Sequence, residues 1–178
     1  MKKLLVLACV LAVTGCSTMQ PPRYAVSVDN IEALKKHDAQ AKVVRLNQVA
    51  EFSPNCRAMG PIEPADGLTV PAFVAKAFND ELKMAGLYAD SGVQISGDIT
   101  KVEFSSISNL TNGYWEIGVD LKSSNGNRLQ VDNRYDFKSG FDAITACNAT
   151  ADALTPAVQD LIKAVVTHPR FASLLAEG

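Results

Sequence analysis

The sequence predicts an α+β fold: a two-layer sandwich of about four mostly antiparallel strands with two long helices packed on one face, in the order β-α-β-β-β-α. Three patterns carry that expectation. Val70, Phe73, Val74, Ala77, Phe78, Leu82 and Ala85 recur at spacings of three and four, which makes one apolar helical stripe. Trp115, Ile117, Val119 and Leu121 alternate with other residues, and after the Asn125-Gly126 pair, which favours a hairpin turn, Leu129, Val131, Asn133, Tyr135 and Phe137 continue the alternation. A second helical stripe follows at Ile144, Cys147, Ala151, Leu154, Val158, Leu161, Ile162 and Val165. Alternation buries one face of a strand, as in an antiparallel sheet backed on one side by helices.

The remaining elements fall between these. Residues 24–28 alternate, and residues 31–36 (IEALKK) form a short helix with Asp29 or Asn30 as its cap. Residues 42–49 read as a strand. Residues 51–68 (EFSPNCRAMGPIEPADGL) hold three prolines and two glycines and read as a long loop, of the kind that is functional or stapled. Pro71 suits the first turn of the first long helix and Gly86 its end. Residues 93–99 alternate with odd positions inward, whereas Val102 and Phe104 are even, so a bulge is expected near Thr100-Lys101. Residues 105–113 (SSISNLTNG) read as a flexible segment. Pro156 interrupts the second long helix and predicts a kink near Asp152. His168-Pro169 stops that helix, and Phe171, Leu174 and Leu175 make a last turn that packs back.

The chain divides into residues 1–15, 16–23 and 24–178. Lys2 and Lys3 precede ten apolar residues, 4–13 (LLVLACVLAV), the length of a signal-peptide core and well short of the roughly 20 residues a membrane span needs. Val13-Thr14-Gly15-Cys16 comes next and resembles the bacterial lipobox, with Gly15 and Cys16 matching its pattern and Val13 and Thr14 as variants. The resemblance implies cleavage before Cys16, and a cysteine carrying diacylglycerol on sulfur and a further acyl chain on its amino group. Two or more chains hold a protein firmly to a bilayer, at ~0.8 kcal/mol per buried CH₂. The alternative is an ordinary secretory signal with an incidental cysteine. Ser17, in place of Asp, resembles the signal for the outer membrane. Residues 17–23 (STMQPPR) are polar and aperiodic and read as a tether reaching about 20–25 Å.

Residues 16–178 carry 15 basic and 19 acidic side chains, a net charge of −4, with no basic run longer than Lys35-Lys36. That composition argues against a nucleic-acid partner, since phosphate binding depends on clustered cations. Cys56 and Cys147 are an even pair in an exported chain, most simply a disulfide. A reactive thiol or a metal pair is the alternative, and neither a Cys-x-x-Cys spacing nor an adjacent histidine supports it. A disulfide would close a loop of about 90 residues, with ~4–5 kcal/mol as the upper end of the entropic contribution.

Catalytic chemistry finds no foothold in the pattern. There is no Gly-x-Ser-x-Gly, no phosphate-binding glycine loop and no cysteine beside a histidine. His37 reads as a solvated surface residue, and His168 as a cation at a helix C-terminus. The carboxylate pairs Asp80-Glu81 and Asp132 with Asp136 fit exposed faces. Catalytic residues, metal ligands and cofactors are therefore expected to be none. Tyr114 and Trp115 are the candidate partner-binding residues, since such aromatics anchor interfaces; the phase of Trp115 with Ile117 and Val119 also fits a core position.

The lipobox, Ser17, the order of elements and the ending Gln159-Asp-Leu-Ile with His168-Pro-Arg-Phe171 resemble the small outer-membrane lipoproteins of Gram-negative bacteria. That group includes LptE-like lipopolysaccharide-assembly proteins, YajG-like proteins and auxiliary lipoproteins of ABC-type lipid transport. The resemblance implies a lipid-anchored, non-enzymatic accessory or scaffold on the periplasmic face of the outer membrane, with an envelope protein as partner. The alternative it leaves open is an auxiliary transport component with a lipid or glycan ligand.

Overall fold

The computed structural model describes residues 19–176; the signal segment, the lipobox and Cys16 lie outside them. The elements run in chain order as α1 (Val28–Leu34), β1 (Ala41–Gln48), α2 (Val70–Ala85), β2 (Val93–Asn109), β3 (Asn112–Ser123), β4 (Arg128–Lys138), α3 (Ala143–Asp152), α4 (Leu154–Val166) and α5 (Phe171–Leu175). The strands form one sheet in the order β1-β2-β3-β4, so the α+β prediction holds. β1 pairs with β2 in parallel, because α2 carries the chain back between them, and the other two pairings are antiparallel.

α2 forms where its stripe predicts. Thr69 caps it by accepting from the Ala72 N–H, Pro71 fills its first turn, and Gly86 ends it at φ 78°, a left-handed conformation that only glycine adopts freely. Phe73, Val74, Ala77, Phe78 and Leu82 are buried, as are Ile95, Ile99, Ile117, Val119, Leu121 and Leu129 on the facing strands. The phase change in β2 is real: the register shifts between Ile99 and Lys101. The turn between β3 and β4 spans residues 124–126, closed by hydrogen bonds from the Ser123 N–H to the Asn127 carbonyl and from the Gly126 N–H to the Ser123 carbonyl. Gly126 takes the left-handed position at φ 91°, the three-residue hairpin geometry.

Several expectations are corrected. Ser27, not Asp29 or Asn30, caps α1, and its hydroxyl accepts from the Asn30 N–H. The second long helix breaks into α3 and α4 at Ala153, one residue from the predicted kink, because the Pro156 ring excludes the Asp152 carbonyl from a helical bond. Ile144, placed on the buried stripe by its spacing, is exposed in the first turn of α3. Residues 105–113 are the end of β2, a short turn and the start of β3, with Asn109 paired to Asn112. His37 is half-buried and meets the Phe171 ring edge-on at 5.3 Å. His168 lies just past the C-cap of α4, and its Nδ1 accepts from the Arg170 N–H at 3.1 Å, which fastens the turn into α5.

The tether is also shorter than expected. Pro21 is buried, the Pro22 carbonyl accepts from the Thr155 hydroxyl at 3.0 Å, and Arg23 pairs with Asp66 at 2.8 Å. The Ala25 carbonyl accepts from Gln159 at 2.6 Å. The chain is thus docked on the domain from the fifth residue after Cys16.

Candidate interaction surface

β2 outruns β1, which pairs only with its first half, ending at Gln48 opposite Ile99. Beyond Ile99 the loop of residues 50–64 takes the place of a strand. Phe52 packs 6.1 Å from Phe104 and 6.2 Å from Trp115, centroid to centroid, and Arg57 donates to the Ser106 hydroxyl at 3.0 Å. Cys56 and Cys147 are joined, so this loop is tied to α3 across 91 residues of sequence. The disulfide expected from the cysteine count is present.

Trp115 is 1% exposed and its indole N–H donates to the Thr150 carbonyl at 2.9 Å in α3. As a partner-binding residue it is excluded: the even–odd phase of β3 turns it onto the helices, and burial with a satisfied N–H makes it core. Tyr114, one residue away, faces the opposite side of the sheet, which no helix covers. The guanidinium of Arg134 lies 3.8 Å above its ring. Arg134 also pairs with Glu116 at 2.7 Å and Asp136 at 3.0 Å, and Lys101 pairs with Glu116. Lys101 and Arg134 hold the Glu116 carboxyl below its ordinary range. The open face is therefore a lattice of interleaved charges with one aromatic ring set into it, as expected of a wet or polar contact surface.

The two edges of the sheet differ. On β1 the Asn79 side chain of α2 accepts from the Val43 N–H at 2.9 Å and donates to the Val43 carbonyl at 2.8 Å, so a helix side chain replaces a neighbouring strand. On β4 the residues whose backbone groups point away from β3 are Arg128, Gln130, Asp132, Arg134, Asp136 and Lys138, five of them charged. Charged side chains at these positions discourage strand addition.

One polar cluster is missed by the carboxylate-pair expectation. Asp80 is on the surface, bound to Lys76 at 2.5 Å, but Glu81 is 0% exposed. Its Oε1 accepts from the Tyr24 hydroxyl, from the Ser27 N–H at 3.1 Å and from Asn30 Nδ2 at 3.1 Å; Asn30 also donates to the Gln159 carbonyl at 2.9 Å. Glu81 Oε2 and Asn30 Oδ1 are buried without a partner. Burial outweighs the donors and raises the Glu81 pKa, and burial followed by the Glu81 contact pushes the Tyr24 hydroxyl up. The cluster clamps the segment that follows the tether onto α2 and α4. The available signal was spacing: Glu81 sits four residues after Ala77 and three after Phe78, inside the apolar stripe.

No protein-family model and no curated protein matches the chain. Among the described residues no group of three His, Cys, Asp or Glu side chains converges to hold a metal, and no helix is long and apolar enough to cross a membrane.

Proposed function

We propose that this protein is a non-enzymatic lipoprotein, anchored through Cys16 to the periplasmic side of the outer membrane, that serves as an accessory or scaffold in cell-envelope assembly or maintenance. The observation that carries this reading is the junction of the lipobox-like segment with a docked chain. Only residues 17–20 separate the cysteine from the buried Pro21, so the domain sits against the bilayer that holds the anchor. The contact surface available to a partner is the open, charge-interleaved sheet face around Tyr114. A lipid or glycan carrier has less support, because Trp115, Phe73, Phe171 and their neighbours fill the space between sheet and helices.

Cross-linking in living cells from the open face, followed by identification of the captured species, tests the scaffold reading. An envelope protein captured by the native chain and weakened by Tyr114→Ala, with the circular dichroism unchanged, is the expected result. Lipid retained by the protein in native mass spectrometry after delipidation would favour the carrier instead. Robust turnover of ester, peptide, glycan or phosphate substrates by stringently purified protein would contradict both.

A further inference from the structure

Exposed large apolar side chains are not spread evenly. Of the nine among the described residues, Met59, Ile107, Leu110, Phe141 and Ile144 gather at the end of the sheet that carries the turn between β2 and β3. Leu110 is 73% and Phe141 77% exposed. The structure joins the segments that bear them. The Ser139 N–H donates to the Thr111 carbonyl at 2.9 Å and its hydroxyl to the Ser106 carbonyl at 2.5 Å, which sets Phe141 beside the turn. Arg57 binds Ser106, which brings the Met59 turn alongside, and the disulfide ties that turn to α3, where Ile144 lies. A soluble surface scatters such residues singly; a cluster marks a contact.

The position of the chain's entry says what covers it. Met19 reaches Gly60, the residue after Met59, so the described chain begins at this same end. Only Ser17 and Thr18 separate Met19 from Cys16, a span of about 10 Å over three peptide links. Acyl chains on Cys16 would hold Met19 within about that distance of the lipid, and with it the Met59–Gly60 turn that Met19 touches. Residues 56–64, 105–113 and 138–146 contain two cations, Arg57 and Lys138, and two anions, Glu63 and Asp142, so charge gives the end no preference for anionic headgroups.

We propose that the Leu110–Phe141 end is a membrane-resting face: its apolar side chains enter the lipid interface and fix the orientation of the domain, leaving the Tyr114 face turned toward the periplasm. The inference rests on the lipoprotein reading. Its physical basis is that acyl chains supply adhesion but no orientation, whereas several apolar side chains at one end supply an orientation at little further cost.

The acylated mature protein, carrying an environment-sensitive fluorophore at Leu110→Cys, Phe141→Cys or, at the far end, Met84→Cys, tests it on vesicles of phosphatidylcholine with and without phosphatidylglycerol. Iodide quenching at positions 110 and 141 should fall several-fold below that at 84, and a lipid-borne nitroxide should quench 110 and 141 alone, equally in both compositions. Using two positions guards against one substitution disturbing the turn. Equal iodide access at all three positions on vesicle-bound protein would overturn the proposal. Shielding in native envelope membranes but not in pure lipid would also overturn it and assign the face to a protein. Protein purified without acyl chains contradicts the anchor itself, and the inference falls with it.

Discussion

The two ends of the sheet are closed by different means. At the turn of residues 124–126, Asn125 donates to the carbonyls of Ser173, Leu174 and Ala176 at 3.0, 3.4 and 2.6 Å, and Asn127 donates to Ser173 at 2.9 Å. These carbonyls belong to the last turn of α5 and to Ala176 just after it, where no intrahelical donor remains, so two amides complete the helix and seal that end. At the turn of residues 109–112 the closure is covalent: the disulfide holds a proline-rich loop against the overhanging part of β2, and five large apolar side chains stay exposed. A hydrogen-bonded closure leaves a polar, finished surface. A stapled one can keep an apolar surface in place without burying it, which is useful when that surface has work outside the domain.

Removing the staple should have the largest effect. Cys56→Ala is expected to destabilise by up to about 4–5 kcal/mol, lowering the melting temperature, and to open residues 50–64 to proteases before the Asn125 end is touched. Native protein purified without reductant should show no free thiol at Cys56 or Cys147 until it is unfolded and reduced. Equal protease resistance at both ends of the variant would erase the distinction drawn between them.

The clamp on the segment after the tether comes next. Glu81→Ala should cost roughly 1–3 kcal/mol through the donors it strands, whereas Glu81→Gln retains the shape and an acceptor oxygen for the same donors. Because folding raises the Glu81 pKa, the folded state binds the proton more tightly. This group's contribution is fully present below the ordinary glutamate pKa and is lost as pH rises through the folded value. Chemical denaturation across that range should show wild-type stability falling with pH in this component and Glu81→Gln lacking it; identical pH profiles would contradict a buried, proton-binding Glu81.

Asn125→Ala should cost about 0.5–1.5 kcal/mol, since the carbonyls it abandons lie near water. Tyr114→Ala is the smallest, about 0.5–1 kcal/mol for an exposed cation–π contact, and its main consequence should appear in partner capture. A larger thermal shift for Tyr114→Ala than for Asn125→Ala would show that the open face is structural.

What the sequence made legible follows from range. The hairpin of β3 and β4 and the stripe of α2 are local periodicities, and burial obeys them from Trp115 to Leu121 and from Phe73 to Leu82. The disulfide was legible as an even cysteine pair with no metal or redox spacing. Glu81, Asn30 and Asn79 were not, because each meets hydrogen-bond partners 36 to 129 positions away, and a polar residue on an apolar stripe declares no partner. Residues 105–109 hid as loop because a serine-rich strand edge lacks alternation. Ile144 followed the stripe yet lies exposed in the first turn of α3. The alternation of β3 puts Tyr114 on the open face and Trp115 in the core; the charged lattice around Tyr114 depends on cross-strand register, which a single sequence does not display.

The proposed location and orientation both depend on acylation at Cys16. Cells expressing the wild-type chain or Cys16→Ser are labelled with radioactive palmitate, and the protein is recovered from membrane and soluble fractions. The expected result is label in membrane-bound wild type and no label in Cys16→Ser, which is left as uncleaved or mislocalised precursor. Palmitate entering the Cys16→Ser chain, or wild type that matures without label and leaves with the soluble fraction, would contradict it.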